Sequence, residues 1–436
     1  MNAPPHRTDS PSDGGSRARG SSSGGPGVRG SNGGNGSPPP EPIAEPGRVA
    51  ALTAELRAAG RFFLDLEFVS EDRYLPEPGL VQVAWGDPRA PQVAAVDPLA
   101  ADVRPLAELV ADPEVTVVLH SAQADLALLA ERFGVVARSV YDTQVAAAFA
   151  GLGDQVGYAG LAERLLGVAI DKGSQFTDWL RRPLSERQLR YALDDVRHLP
   201  ALWAELERRL QESGRLAWVA EESRRLAEQA AARADPETLY RKVPGWERLK
   251  PRSLGALRAL AAWRERQARA SNTPPRWLLA ERVMLEVARR LPRSRRDLEA
   301  ARGLKESAVR RHGDAVLEAV RAGAEEPLAP PRPPPPLPER AQAWVPLVSG
   351  LVQARCREAG IAPRFVLTKS AAEELVRWWL RRAKAGEEGS AEPALPLLAG
   401  WRRELAGAAA LDWLAGRAAL AADADSSSGL RVVELE

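Results

Sequence analysis

The stretch that decides the fold is Phe62-Phe63-Leu64-Asp65-Leu66-Glu67-Phe68. Because successive side chains of a β-strand point to opposite faces, Asp65 and Glu67 share one face of an otherwise apolar strand. Two carboxylates on a mostly buried strand need a cationic partner, since desolvating an unpaired charge is costly. The strand contains no Lys or Arg, so a divalent metal ion is a candidate partner. The alternative is that Asp-x-Glu is a common strand pattern that binds no metal.

Length and composition point to a globular chain of several domains. The 436 residues are too many for one ordinary domain and suggest two or three. Apolar residues make up 44% and charged residues 27%, which is typical of proteins that bury a sizeable core. The single cysteine, Cys356, excludes an internal disulfide and favours a reducing cytoplasm. We expect neither a signal peptide nor a membrane anchor, because no long apolar run is present.

The pattern around the opening strand predicts a mixed sheet. Residues 1–46 are mostly Gly, Ser, Pro and Arg and predict a disordered tail. Residues 79–85 and 92–96 are predicted strands joined by short turns, which indicates an antiparallel meander. A further apolar strand is predicted at residues 115–119. Helices are predicted at residues 49–56, 99–110, 122–133, 142–150 and 161–166, so the sheet is covered by helices.

Two helices carry further candidate residues. Asp125 lies in the first turn of the helix that follows the 115–119 strand. Either it faces the same cleft as Asp65 and Glu67, or its negative charge only interacts favourably with the helix dipole. Ser185, with Gln188 as capping-box partner, begins a predicted helix that runs to about residue 210. Tyr191 and Asp195 lie four residues apart on one face of that helix. Such a pair forms either a site or an ordinary surface contact.

Three segments together resemble the ribonuclease D branch of the DEDD exonucleases, which carries a tyrosine in its third motif. They are residues 63–69 with 79–82, residues 119–126 with 141–144, and residues 177–196. The resemblance implies an α/β ribonuclease-H-like exonuclease domain over residues 47–222, with a mixed sheet flanked by helices. Such an enzyme hydrolyses phosphodiesters from the 3′ end and releases 5′-nucleotides.

The resemblance also implies the roles of the site residues. Tyr191 would orient the attacking water, and two divalent cations would be held by Asp65, Glu67, Asp125 and Asp195. Oxygen ligands without a Cys or His cluster favour Mg²⁺ or Mn²⁺ over Zn²⁺. Two such ions about 4 Å apart activate a water and stabilise the leaving 3′-oxygen. Tyrosine, with a pKa of about 10, is better suited to positioning the water than to removing its proton.

Residues that flank the motifs are candidate substrate contacts. His120 lines the cleft or is an ordinary histidine at a strand end. Phe176 and Trp179 stack on a terminal base, with Arg181 and Arg182 holding a phosphate, or these residues pack in the core. Three more residues are predicted to support the fold near the site: Asp142, Gln144 and Gln82.

The second half of the chain has the opposite charge. Residues 240–321 hold about 21 Lys and Arg against about nine Asp and Glu, whereas residues 47–222 have a net charge of about −9. This segregation favours a module that faces phosphates, although a charged run is often only a solvated surface. Residues 240–321 resemble an HRDC domain, a helical bundle whose family role is nucleic-acid binding. Within it, Arg302 and Lys305 are candidate phosphate contacts.

A polyproline linker is predicted at residues 324–338, where it acts as a semi-rigid spacer. Residues 339–420 are again helical and faintly resemble a second, degenerate HRDC domain, so the fold class is an α/β domain followed by all-α bundles. Residues 421–436 are predicted to be a tail.

The sequence therefore predicts a metal-dependent 3′→5′ exoribonuclease that trims RNA 3′ ends, with tRNA precursors as the substrate implied by the resemblance. One alternative is a DNA 3′→5′ exonuclease, since the same motifs serve both polymers. The other is a non-catalytic scaffold that binds RNA through its helical half.

Overall fold

A five-stranded mixed sheet forms the centre of the first domain. The computed structural model describes residues 38–170, 177–330, 334–385 and 391–435. In chain order the strands are β1 (Arg61–Val69), β2 (Glu77–Trp85), β3 (Gln92–Val96), β4 (Thr116–Leu119) and β5 (Val140–Asp142). They lie side by side in the order β3-β2-β1-β4-β5. Strands β1, β2 and β3 form the predicted antiparallel meander, and β4 and β5 continue the sheet in parallel with β1, so the predicted mixed sheet is confirmed.

Helices cover both faces of this sheet. In chain order they are α1 (Pro46–Ala59), α2 (Arg104–Val110), α3 (Gln123–Phe133), α4 (Thr143–Phe149), α5 (Tyr158–Leu166), α6 (Glu186–Arg197), α7 (Leu199–Glu212) and α8 (Leu216–Ala231). The side chains of Phe62, Leu64 and Leu66 on β1 enter a core shared with α1, α2 and α3. Phe63 points to the opposite face, where it packs against α6 and α7. Asp65 and Glu67 lie on that second face, under α6.

The predicted helix from Glu186 to about residue 210 is wrong in one respect, because it is two helices that meet at His198. Pro200 has no amide hydrogen to donate to Val196, and its ring crowds that carbonyl group, so α6 ends there. The hydroxyl of Tyr158 occupies the break: it donates to the carbonyl of Asp194 at 2.7 Å and accepts from the amide of His198 at 3.3 Å.

Two boundaries of the first domain differ from the prediction. The residues before Pro46 that the structure describes are partly ordered, since Ile43 is buried and its backbone pairs with β3 on both sides. The predicted tail over residues 1–37 lies outside the described residues. At the other end, α8 runs past residue 222, and Ala227 packs in the core beneath α3.

Helical domain 1, residues 236–325, follows. It begins with the 3₁₀ turns Pro236–Lys242 and Trp246–Arg248 and continues with α9 (Pro251–Ala270), α10 (Pro275–Leu278), α11 (Glu281–Arg290), α12 (Arg295–Glu299) and α13 (Glu306–Glu325). These elements share a hydrophobic core of their own. Helices α9 and α13 cross at Gly255 and Gly323, where a Cβ on either glycine would overlap the backbone of the other. The two long helices therefore approach as closely as their backbones allow.

Helical domain 2, residues 339–435, closes the described chain. Its helices are α14 (Glu339–Gln342), α15 (Trp344–Ala359), α16 (Lys369–Ala385), α17 (Gly400–Arg402) and α18 (Ala408–Leu414), with 3₁₀ turns at Pro363–Phe365 and Pro396–Leu398 and a π-helical turn at Arg403–Gly407. The predicted tail at residues 421–436 is wrong, because β6 (Ala418–Ala422) and β7 (Leu430–Glu434) form an antiparallel hairpin. The local sequence signal for β7 is the alternation of the apolar residues Leu430 and Val432. Residues 331–333 of the predicted linker lie outside the described residues.

None of the helices in the described ranges has both the length and the apolarity that crossing a membrane requires.

Candidate active site

Three carboxylates from two elements meet over the centre of the sheet. Asp65 and Glu67 lie on alternate positions of β1, and Asp195 lies near the end of α6, which packs across β1 and β2. One oxygen of each carboxylate falls within 4.8 Å of the others. The first and third motifs, 130 residues apart in sequence, therefore form one acidic cluster.

Asp125 faces the same cluster from the first turn of α3. Its side chain is 7% exposed, and its charge raises the pKa of both Asp65 and Glu67. It lies outside the set whose oxygens approach within 4.8 Å of one another. The structure thus places Asp125 beside the three-carboxylate cluster as its fourth acidic neighbour.

Asp142 fixes the position of α3. This carboxylate is 1% exposed and accepts from the amides of Ser121 and Ala122 at 3.2 and 2.9 Å, immediately before α3 begins. The same carboxylate caps α4, because it accepts from the amides of Gln144 and Val145. Ser121 has a positive φ of 60°, so the turn that aims Asp125 at the cluster depends on this buried cap.

Burial and mutual repulsion raise the pKa values of the carboxyl groups in the cluster. Desolvation is the largest cause, and it raises the pKa of Glu67 to about 8 and the pKa values of Asp125 and Asp195 to about 7. The pKa of Asp65 is raised well above its usual range by burial and then by Asp125, Asp195 and Glu67. Within the described ranges no cationic side chain offsets these shifts, so ionisation of the carboxyl groups is unfavourable.

Tyr191 lies one helical turn before Asp195, and its hydroxyl donates a hydrogen bond to that carboxylate. Burial, and then the charges of Asp195, Glu67 and Asp65, raise the pKa of Tyr191 above its usual value, so the hydroxyl remains protonated at neutral pH. The ring of Trp179 lies 6.2 Å from the ring of Tyr191 and supports it from below.

His120 lies at the edge of this site. Thr143 donates its hydroxyl hydrogen to the carbonyl of Leu119 and therefore accepts from Nδ1 of His120, at 2.9 Å each. The Nε2 atom is buried and has no hydrogen-bond partner among the described residues. The imidazole packs against Tyr158 with the ring centres 5.7 Å apart.

Sequence reasoning missed Tyr158, whose pKa is raised by burial and by the charges of Asp195 and Asp65. Its hydroxyl spans the break between α6 and α7. The only sequence signal was a tyrosine at the start of the predicted 161–166 helix.

The predictions that Trp179 and Arg182 contact the substrate are wrong, because both side chains make their contacts within the protein. Trp179 is 3% exposed and lies against the backbone of β2, so it offers no face to a base. Arg182 donates all five of its hydrogens inside the protein: two to the carboxylate of Asp97 at 2.6 Å, one to Gly79 O at 2.7 Å, and two to the carbonyls of Trp179 and Arg181 at 2.9 and 3.0 Å. No donor remains for a phosphate.

The other predicted contacts lie apart from the cluster or outside the described residues. Arg181 is exposed, and Phe176 lies outside the residues that the structure describes. Arg302 and Lys305 are exposed on helical domain 1, and Lys305 lines a groove of about 540 Å³ there. Gln82 pairs with Asp65 across β1 and β2, and both polar atoms of its amide are buried without a hydrogen-bond partner in the described chain.

Two family models match the chain. Residues 40–211 match a 3′-5′ exonuclease domain, and residues 253–320 match an HRDC domain. These ranges coincide with the sheet domain and with helical domain 1. The acidic cluster within the first match is consistent with the binding of divalent metal ions.

Similar proteins cover nearly the whole chain. The ribonuclease D of Gluconacetobacter diazotrophicus is 40% identical over 404 residues, covering 89% of this chain and 96% of that protein. The ribonuclease D of Pseudomonas paraeruginosa is 36% identical and covers 85% of this chain and 96% of that protein. The crystal structure of Escherichia coli RNase D, an exoribonuclease involved in structured RNA processing, superimposes with a TM-score of 0.73 at 30% identity, covering 86% of this chain and 98% of that one. The fold, the acidic cluster and these relatives together show that the chain belongs to the ribonuclease D family of 3′-5′ exoribonucleases.

Proposed function

We propose that the chain removes nucleotides from RNA 3′ ends by metal-dependent hydrolysis at the acidic cluster. The observation that carries this proposal is the convergence of Asp65, Glu67 and Asp195 within 4.8 Å, with Asp125 beside them. Among the described residues, the charges that raise the pKa of Asp65 are all carboxylates. Such a group of buried acids is unfavourable by itself and is stabilised by bound cations.

The donor set fits two Mg²⁺ or Mn²⁺ ions. It consists of carboxylate oxygens, which these hard cations prefer, and includes no thiolate. When bound, such ions lower the pKa of a water and stabilise the charge on the departing 3′-oxygen. We assign Asp65, Glu67, Asp125 and Asp195 as the residues that hold them.

The protein's own contribution is to orient the reacting groups. Tyr191 keeps its proton and donates it to Asp195, so its oxygen accepts a hydrogen bond from the attacking water and positions it rather than removing its proton. Asp142 holds Asp125 in place through the turn before α3, and the unpartnered amide of Gln82 lies across the sheet from Asp65. His120 donates its Nδ1 hydrogen to Thr143, so its Nε2 is an acceptor for a substrate hydroxyl at the edge of the cleft.

The substrate we propose is structured RNA with a free 3′ end, with tRNA precursors as the leading case. Support comes from the basic helical domain 1 beside an acidic centre, which is a suitable arrangement for holding a polyanion. We place the enzyme in the cytoplasm, where such precursors occur and where Cys356, a buried free thiol, stays reduced.

The test is digestion of a 5′-labelled RNA with a single-stranded 3′ tail, beside a DNA of the same sequence. We expect a one-nucleotide ladder from the RNA with Mg²⁺, none with EDTA, and slower loss of the DNA. Preferential degradation of the DNA would support a DNA exonuclease instead. Metal-independent RNA binding without any shortening would support a scaffold.

A further inference from the structure

A groove of about 820 Å³ lies between the β1–β2 loop of the exonuclease domain and helical domain 1. Ser70 and Glu71 form one wall. The opposite wall contains three arginines, Arg264, Arg276 and Arg282, together with Glu281. The groove is therefore shared between the two domains, and cationic side chains outnumber the acidic ones.

Arg264 is the unusual member of this lining. It is only 9% exposed, and its Nη1 donates to the carbonyl of Leu279 at 3.0 Å. Its Nε is buried and has no hydrogen-bond partner among the described residues. Burial lowers the pKa of the Arg264 guanidinium, and the charges of Glu281 and Glu265 offset this only in part; neither carboxylate forms an ion pair with it in the described chain. A buried guanidinium with unused donors is unfavourable unless an anion meets it.

The two walls are fastened together beside the groove. The Oδ1 atom of Asn272 accepts from the amides of Tyr74 and Leu75 at 3.1 and 2.8 Å. The hydroxyl of Tyr74 donates to Glu265, and the guanidinium of Arg269 lies 5.7 Å from the centre of the Tyr74 ring. Glu265 and Arg269 lie one turn apart on α9 and Asn272 lies just beyond its end, so these contacts hold the β1–β2 loop against helical domain 1.

The groove also lies close to the acidic cluster. Ser70 follows Glu67 by three residues and comes directly after the end of β1, a distance of about 10 Å in an extended chain. A strand of nucleic acid whose 3′ end lies at the cluster can therefore reach this loop within a few nucleotides. The anion that meets Arg264 can then belong to the backbone of the same strand.

We propose that this groove binds a backbone phosphate of the substrate, on the 5′ side of the nucleotides at the acidic cluster, with Arg264 as its buried anchor. Arg276 and Arg282 supply exposed positive charge at the entrance. The proposal rests on the proposed function for the identity of the polyanion, but the groove can be tested without catalysis.

The experiment measures equilibrium binding of fluorescently labelled oligoribonucleotides of two and twelve nucleotides, in EDTA, by anisotropy. The full-length variants are Arg264→Gln and the double variant Arg276→Gln/Arg282→Gln. Arg321→Gln is the matched control, because Arg321 is exposed on the same domain and pairs with Glu318 at 2.7 Å. We expect the Kd of the twelve-nucleotide RNA to rise about tenfold in Arg264→Gln, the loss typical of one charged hydrogen-bonding group.

The salt dependence provides a second readout. Each arginine that contacts a phosphate contributes about one unit to the slope of log Kd against log salt concentration. We expect this slope to fall in both groove variants and to stay unchanged in Arg321→Gln. The Kd of the two-nucleotide RNA should change much less, because it does not reach the groove.

An unchanged Kd and slope for the long RNA in both variants would overturn the proposal. If Arg264→Gln fails to fold, the double variant still tests the proposal. Arg276 and Arg282 are exposed, so replacing them should not prevent folding. Failure of the proposed function has a different signature, namely wild-type protein that binds the long RNA but never shortens it when Mg²⁺ is supplied.

Discussion

Two adjacent aspartates on α6 show how residue position decides chemistry. Asp195 faces the cluster, where burial raises its pKa to about 7. Asp194, about 100° further round the helix, forms a surface ion pair with Arg197 at 3.1 Å. The Tyr191–Asp195 spacing was enough to predict which of the two belongs to the site.

Other residues were predicted wrongly because their partners are distant in sequence. Arg182 follows the third motif and looked available to a phosphate, but its main partner, Asp97, is 85 residues away. Trp179 looked like a stacking platform and is instead a buried support for Tyr191. No local pattern distinguishes a bound guanidinium from a free one, so this part of the site required the structure.

The raised pKa values predict how the metal-free protein responds to pH. An unfolded carboxyl titrates near 4, whereas those of Glu67, Asp125 and Asp195 titrate at about 7 to 8 when folded. The folded state therefore binds protons more tightly, and its stability falls as pH rises from 5.5 to 8.5. Urea unfolding in EDTA checks this, with Asp195→Asn expected to show a smaller fall and Asp194→Asn the same fall as wild type. A midpoint that rises across this window equally in all three proteins would contradict the shifts.

Tyr191→Phe tests the role of the hydroxyl. The variant keeps the ring that packs on Trp179 but removes the group that holds the water, so we expect kcat to fall about 10²-fold with little change in KM. Steady-state kinetics on a short RNA measure both. The pH profile is informative too, because a residue that only positions water leaves its shape unchanged. A higher KM with an unchanged kcat would assign the hydroxyl to substrate binding instead.

At the scale of elements, the sequence predicted the sheet and most helices because their patterns are local. The capping box of Ser185 and Gln188 is present at the start of α6. The end of that helix was missed, although Pro200 was visible, because apolar periodicity continues through the break. The sequence also did not predict that residues 177–185 pack against β2. This packing depends on the absence of a side chain at one glycine of β2.

That glycine gives a test of how the site is supported. A Cβ on Gly79 would lie 2.6 Å from Cβ of Trp179, and Arg182 donates to the Gly79 carbonyl. We expect Gly79→Ala to displace Trp179 and with it Tyr191, lowering kcat about tenfold or more while metal affinity changes little. Gly350→Ala is the matched control, because nothing lies within 4 Å of its added methyl group. Equal activity of the two variants would show that this contact does not set the position of Tyr191.

At the scale of the molecule, helical domain 2 shares one hydrophobic core with the exonuclease domain, whereas helical domain 1 has its own. The ring centre of Trp401 lies 4.9 Å from that of Phe149 and 5.2 Å from that of Trp218, on which it stacks. Trp401 is about 250 and 180 positions from these two residues in sequence. The sequence predicted that residues 339–420 are helical. It held no signal that the core would be shared.

A buried ion pair joins the same two domains. Arg402 is 4% exposed and pairs with Glu222, which is 2% exposed, while also donating to the carbonyl of Phe365 at 2.6 Å. We expect Arg402→Met to lower the free energy of unfolding by about 3 kcal/mol, because the buried Glu222 would keep only the half-exposed Arg225 as a partner. The double variant Arg402→Met/Glu222→Leu should recover part of that loss. Urea unfolding of the single and double variants measures both, and equal stability of Arg402→Met and wild type would contradict this role.

The most direct test of the account compares Asp65→Asn and Asp195→Asn with Asp194→Asn on a 5′-labelled RNA with Mg²⁺. Asparagine preserves shape but removes the charge that holds the cations, so the first two variants should lose at least about 10³-fold in rate. Asp194→Asn changes the neighbouring carboxylate outside the cluster and should produce the wild-type one-nucleotide ladder. A ladder that persists in Asp65→Asn and Asp195→Asn, or that disappears equally in Asp194→Asn, would contradict catalysis at this cluster.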